Sequence, residues 1–254
     1  MTMSRRKILT GGAASAGMLH SSVKTLSTPR KGLTYKATAF DAFAIFDSRP
    51  VDRLCEILFP GQGEAFIKMW RAHQFEYAWL QVLMRRYADF ERVTAQSLSF
   101  AANALKLDLA DNQKKQLLQA YSCMPAWPDA VPSLQKLRQT GVRTAILSNL
   151  TPQMLQSCLS ANPGLRDLFD HVLSTDAART YKPDPRAYAL APDALKLPRE
   201  NIAFIAYAGW DAVGAKCFGY PTFWANRAGA PSETLGDKAD AMGADLSGLT
   251  AFIG

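Results

Sequence analysis

The chain has 254 residues, 48% hydrophobic and 20% charged, the balance of a globular protein able to bury a full core. Its formal net charge of +7 is concentrated at the start: residues 1–31 hold Arg5, Arg6, Lys7, Lys24, Arg30 and Lys31 and no acid, and the remainder carries 23 basic against 22 acidic residues. That near-neutral remainder argues against a nucleic-acid face, and having only His73 and His171 beyond residue 31 argues against a histidine-rich metal site or a Ser-His-Asp hydrolase.

In chain order, Ser4-Arg5-Arg6-Lys7-Ile8-Leu9 precedes a weakly apolar, Gly/Ala-rich run to Leu19. This resembles a twin-arginine export signal, a receptor-read address, and residues 1–31 are expected to be a leader directing the protein to the periplasm. A basic tail with no such role is the plain alternative. At about a dozen residues the run is too short for a stable transmembrane helix, and no other stretch is a candidate, so no membrane integration is expected. Cys55, Cys123, Cys158 and Cys217 form no C-x-x-C pair and read as small buried hydrophobes, though export would permit a disulfide.

Lys36 to Asp47, KATAFDAFAIFD, reads as a short buried strand that delivers Asp41 to its C-terminal end. Asp41 either serves chemistry there or caps the next turn. Arg49-Pro50 opens a helix that Phe59-Pro60-Gly61-Gln62-Gly63 breaks. From Glu64 to Tyr121 the pattern is helical: Phe66, Met69, Trp70 and His73 fall at i, i+3, i+4 and i+7, and Phe75, Trp79, Val82 and Leu83 repeat the spacing. This is a helical insertion at 51–124, and its aromatic stripe is most simply its own core.

Pro125 and Pro128 mark the return to α/β alternation. A helix over Asp129–Gln139 ends at Gly141, followed by a strand Arg143–Ser148 and a helix with Thr151 as N-cap and Pro152 as first residue. A strand at His171–Ser174 leads to Tyr181-Lys182-Pro183-Asp184-Pro185 and a helix through Tyr188. Ile202–Ala206 is an apolar strand, a helix follows from Gly209-Trp210-Asp211 to Phe218, and Pro221–Ala225 is a further short strand. The tail from Gly229 reads as loop with one short closing element. The expected architecture is a doubly wound, Rossmann-like parallel sheet over 32–50 and 125–254, with the helical insertion after its first strand.

Asp41, Ser148-Asn149, Lys182 and Asp211 follow four strands, and parallel strands present such ends on one edge. Singly each has a bland reading as a cap or a solvated loop residue. Together they predict one site.

These motifs, LSN at 147–149, YKPDPRAY at 181–188 and GWDAVGAK at 209–216 with the strand-ending Asp41, resemble the haloacid dehalogenase superfamily. MWRAHQFEYAWL at 69–80 and the tryptophan before Asp211 resemble the L-2-haloacid dehalogenases more specifically, over about Lys36 to Phe252, the insertion being their cap. The resemblance implies hydrolysis of short 2-haloalkanoic acids to 2-hydroxy acids. In that chemistry Asp41 is the nucleophile that displaces halide and becomes an ester, Lys182 supports its charge, and Asp211 holds Lys182 or orients water. Ser148 and Asn149 would bind the substrate carboxylate and Arg71 the departing halide, with Phe43, Tyr188 and Trp210 around the substrate.

No cofactor or metal is expected. Superfamily phosphatases carry a second Asp two residues after the nucleophile, and here Phe43 stands there, which cannot transfer a proton. The expected partners are a small 2-halocarboxylate and halide, with a homodimer left open. Two departures bear on activity: the turn after Asp41 is one residue shorter than the family's, and Ala206-Tyr207-Ala208 replaces its S-x-N. The rival readings are a phosphatase of the same superfamily and a non-catalytic binder of small carboxylates.

Overall fold

The computed structural model describes residues 35–254; the expected leader, residues 1–31, lies outside the described residues. β1 (Ala37–Phe40) is fully buried and runs straight into α1 (Ala42–Ile45). Four helices of the insertion follow: α2 (Arg49–Leu58), α3 (Gly63–Leu83), α4 (Phe90–Ala104) and α5 (Asp111–Ser122). The rest alternates: α6 (Ala130–Gln139), β2 (Arg143–Ser148), α7 (Pro152–Ser160), β3 (His171–Ser174), α8 (Pro185–Leu195), β4 (Ile202–Ala206), α9 (Gly209–Phe218), β5 (Thr222–Ala225), β6 (Ala241–Gly243) and α10 (Leu249–Ile253).

The strands form one all-parallel sheet in the order β3-β2-β1-β4-β5-β6. Side chains alternate between its faces with period two. Phe40, Ile146 and Ile205 enter one core with Leu134 and Leu137 of α6 and Met154 and Leu155 of α7. Ala39, Leu147 and Phe204 enter the other with Tyr188, Ala191 and Leu195 of α8 and Ala212 and Ala215 of α9. Strands this apolar on both sides suit a sheet covered twice, as the alternation of elements predicts.

The order reverses beside β1, whose neighbours β2 and β4 carry the chain in opposite directions across the sheet. That switch point opens a crevice at the C-terminal ends of the central strands. Over it lies the helical insertion. Its entry and exit run antiparallel, with Asp47 N donating to Pro125 O at 2.8 Å and Trp127 N to Ile45 O at 2.9 Å. Trp70 anchors the insertion's own core: its indole donates to Thr94 O at 2.9 Å and meets Tyr121 edge-on at 5.0 Å.

The structure departs from expectation at small elements. α2 starts at Arg49 and so crosses the boundary expected at residue 50. The tail holds a strand and a helix where one closing element is expected; Ala-Met-Gly has no run of β-branched residues to announce β6. All four cysteines are free. Cys55 and Cys158 are buried as expected, but Cys123, at the end of α5, and Cys217, on α9, are exposed. Among the described residues no helix is long and apolar enough to cross a membrane.

Candidate active site

Asp41 caps α1, its Oδ2 accepting from Phe43 N at 3.1 Å, while its own amide donates to Ile205 O at 2.9 Å on β4. The carboxylate is thus aimed by the strand behind it and the helical turn ahead. Its Oδ1 accepts from Lys182 Nζ at 2.8 Å, and the same ammonium donates to Asp211 Oδ2 at 2.7 Å. Lys182 is only 1% exposed. A lysine this deep is tolerable only when paired.

The loop holding Lys182 is tied at its backbone. Its amide donates to Asn149 Oδ1 at 3.0 Å, and its carbonyl accepts from Trp79 Nε1 of α3 at 3.0 Å. Asp211 lies in the first turn of α9, where the helix dipole favours an acid. Its Oδ1 accepts from Tyr188 Oη at 2.7 Å. Burial works against the Lys182 ammonium, but Asp211 and Asp41 outweigh it and hold its pKa above the ordinary value. Burial pushes Asp211 up to about 6; Lys182 pulls it down and the charge of Asp41 adds to the rise.

Above this trio is a cavity of about 210 Å³. Pockets for drug-sized ligands run to roughly 300–1,000 Å³, so this one suits a small molecule. Asp41, Phe43, Asn149, Trp210 and Asp211 line its floor and lower walls. Arg71, Gln74 and Phe75 of α3 and Tyr121 of α5 face it from the insertion, and Ser48, Tyr207 and Ala208 complete it.

Arg71 does not stand free. Its Nη1 donates to Asp52 Oδ2 at 3.1 Å, its Nη2 to Asp52 Oδ1 and to Ser48 Oγ at 3.0 Å, and its Nε to Tyr121 Oη at 3.3 Å. Burial opposes the guanidinium's charge, and Tyr121 and Asp52 more than restore it.

Six expected site residues therefore share the cavity: Asp41, Phe43, Arg71, Asn149, Trp210 and Asp211. Lys182 lies behind Asp41. Ser148 is buried with Oγ accepting from Leu150 N at 3.0 Å, and Tyr188 is fully buried behind Asp211; neither is among the cavity's lining residues. The aromatic stripe of α3 divides in two. Phe66 and Trp70 are core as expected, whereas Phe75 turns to the cavity and meets Trp210 at 5.2 Å, and Trp79 meets it at 5.5 Å.

Ser48, Asp52, Gln74, Phe75, Tyr121 and Tyr207 are not among the site residues expected from the sequence, where Phe75 and Tyr121 belong to the helical pattern of the insertion and Tyr207 only to the replaced S-x-N. Gln74 and Phe75 stand three and four residues after Arg71 on one helix face, a spacing that could have found them. Nothing local marks Asp52 or Tyr121. Among the described residues, no group of three or more His, Cys, Asp or Glu is placed to hold a metal ion.

A sequence model of the haloacid dehalogenase-like hydrolases matches residues 35–219. The (S)-2-haloacid dehalogenase of Pseudomonas sp. (strain YL) is 42% identical over 206 residues, 81% of this chain and 88% of that protein. A crystal structure of an L-2-haloacid dehalogenase superposes with a TM-score of 0.84 at 41% identity, covering 87% of this chain and 99% of that one. The L-2-haloacid dehalogenase from Xanthobacter autotrophicus with chloropropionic acid covalently bound superposes with a TM-score of 0.78 at 34% identity, covering 86% and 98%.

Proposed function

The chain belongs to the haloacid dehalogenase-like hydrolase family, and from that premise we propose that it hydrolyses short 2-haloalkanoic acids to 2-hydroxy acids through an ester on Asp41. The observation that carries the reading is a carboxylate at the floor of a small cavity, 2.8 Å from a buried ammonium, with Phe43 where an acid for phosphate chemistry would stand.

An Asp41 oxygen attacks C2 from the side opposite the halogen. The new C–O bond forms as the carbon–halogen bond breaks, and halide leaves with the electron pair. Water then attacks the Cγ of the ester, freeing the 2-hydroxy acid and restoring the carboxylate. Displacement and hydrolysis consume only water, so no cofactor is needed.

Lys182, with its ammonium 2.8 Å from Asp41, supports the negative charge of the nucleophile. Asp211 holds Lys182 and is placed to orient the hydrolytic water. Asn149, with the amides near the start of α7 and Ser148 beneath, suits the substrate carboxylate. Arg71 faces the leaving group, Phe43 and Trp210 form apolar walls, and Tyr188 supports Asp211. Helices α2–α5 act as the cap that closes over the core. The leader at 1–31 would send the enzyme through the twin-arginine route to the periplasm.

The test is single-turnover hydrolysis of (S)-2-chloropropionate in H₂¹⁸O, with and without chelator. The reading expects chloride release unaffected by chelator and ¹⁸O in Asp41. Chloroacetate bound unchanged, with no ester at Asp41, would instead support a carboxylate-binding protein, for which Ala206 and Ala208 are the motive. Mg²⁺-dependent phosphate release would support a phosphatase.

A further inference from the structure

Building on the dehalogenase reading of this cavity, we propose that the hydroxyl of Tyr207 donates a hydrogen bond to the departing halide, alongside Arg71. Among the described residues lining the cavity, Arg71 is the only one with a full positive charge, and its Nε, Nη1 and Nη2 are engaged by Tyr121, Asp52 and Ser48. A guanidinium so paired offers an arriving anion a reduced field. The turn between β4 and α9 supplies no side-chain donor at Ala206 or Ala208. Tyr207 stands between them, lines the cavity and meets the ring of Phe43 at a tilt, 6.0 Å between centroids.

Its backbone is fixed, the carbonyl accepting from Trp224 Nε1 at 2.9 Å. Yet its hydroxyl makes no hydrogen bond to any described residue. Tyr207, Arg71 and Asp41 line the same cavity, so the phenol shares it with the guanidinium and the nucleophile, and the charges of Arg71, Asp52, Asp41 and Asp47 act on its hydroxyl. Burial, more than these charges, raises its pKa, so the group remains a donor rather than a phenolate.

In the displacement the electron pair of the carbon–halogen bond passes to the halide while Asp41 bonds to C2. The Tyr207 proton stays on its own oxygen and the hydrogen bond strengthens as the halide gains charge. Such a donor matters most where the leaving group is poorest.

The experiment compares wild type with Tyr207→Phe, which keeps the ring against Phe43, on (S)-2-chloro- and (S)-2-bromopropionate. Chloride release in a single turnover should fall about 10- to 100-fold, the span of one hydrogen bond to a charged group. Bromide release should fall less, and hydrolysis of the accumulated ester should keep its rate. Bromide affinity, read from saturable quenching of tryptophan emission from Trp79 and Trp210, should weaken about 10-fold. A folded Tyr207→Phe protein that binds bromide like wild type overturns the proposal, as does an equal loss for both halogens and for ester hydrolysis. Because the bromide titration needs no turnover, it still decides the role of Tyr207 if wild type releases no halide, a result that would sink the dehalogenase reading instead.

Discussion

Trp79 of α3 donates its indole N–H to the backbone carbonyl of Lys182 at 3.0 Å, joining the helical insertion directly to the loop that carries the buried ammonium. On the other side of the same residue, Asn149 holds the amide. Both backbone polar groups of Lys182 are therefore tied by side chains from different parts of the chain. A loop residue gains from this the fixed position that a strand or helix would otherwise provide.

Trp79→Phe should keep the edge-on contact with Trp210 and lose only this bond. One neutral hydrogen bond contributes about 1 kcal/mol, so kcat should fall about 5-fold with little change in KM. Steady-state kinetics on one 2-halopropionate, with the melting temperature as a control on folding, provide the check. A change in KM alone would place Trp79 in substrate binding rather than in positioning Lys182.

Asp211 predicts the acid limb of the pH profile. Burial pushes its carboxyl up to about 6, and protonation removes one of the two partners of Lys182 and the group placed to orient water. The profile of kcat/KM, which reports the free enzyme, should fall below an apparent pKa near this value, belonging to the Asp41–Lys182–Asp211 trio as a unit. The folded-state value lies above the ordinary 3.8, so Asp211 contributes stability at pH values below 3.8 and loses it as pH rises through about 6. Asp211→Asn should abolish the limb near pH 6; a limb that survives unchanged belongs to another group.

Gly214 is a close-approach position. A Cβ there would stand 2.5 Å from Tyr188 Oη and 2.7 Å from Pro183 Cβ, and Tyr188 is fully buried with its hydroxyl on Asp211. Alanine favours a helix interior over glycine by about 1 kcal/mol, but overpacking costs typically about 1–3 kcal/mol. Overpacking should win. Gly214→Ala should lower the melting temperature and also reduce kcat, because the displaced Tyr188 and Pro183 adjoin Asp211 and Lys182. A higher melting temperature with intact kcat would show that the neighbours give way freely.

Much of this was legible in the residues. Short apolar runs ending in Asp41, Ser148 and Ala206 mark strands buried on both faces, and Thr151-Pro152 marks a helix start, because those signals are local. Convergence of Asp41, Lys182 and Asp211 follows from parallel strands sharing one edge. What stayed hidden depends on distant packing. Trp79 and Phe75 share the helical spacing of their stripe with core residues, and only the seating of α3 over the sheet turns them toward Lys182 and Trp210. Tyr188 falls in the YKPDPRAY motif, yet α8 directs it under Asp211 rather than at the cavity. Asp52 looks like any acid in a first helical turn until α3 brings Arg71 beside it.

That pairing yields the last prediction. Arg71 and Asp52 form a two-pronged ion pair at the cavity edge, their side chains 31% and 37% exposed. Removing Arg71 alone does two things: it deletes a donor for the leaving anion, and it leaves the Asp52 carboxylate unpaired beside a site that receives an anionic substrate. Arg71→Ala should therefore lower kcat/KM by about 100-fold or more, the scale of losing a charged donor to developing charge. Asp52→Asn alone should have the opposite character, releasing the full guanidinium field and tightening inhibition by bromide. The double variant should recover part of the Arg71→Ala loss, with a coupling of about 1 kcal/mol, since solvent at a third-exposed pair screens anything larger. The full cycle on (S)-2-bromopropionate, with bromide inhibition measured for each variant, decides the matter. If the double variant is no better than Arg71→Ala and bromide inhibits Asp52→Asn as it does wild type, Asp52 is only a fastener for the helix and does not tune the leaving-group site.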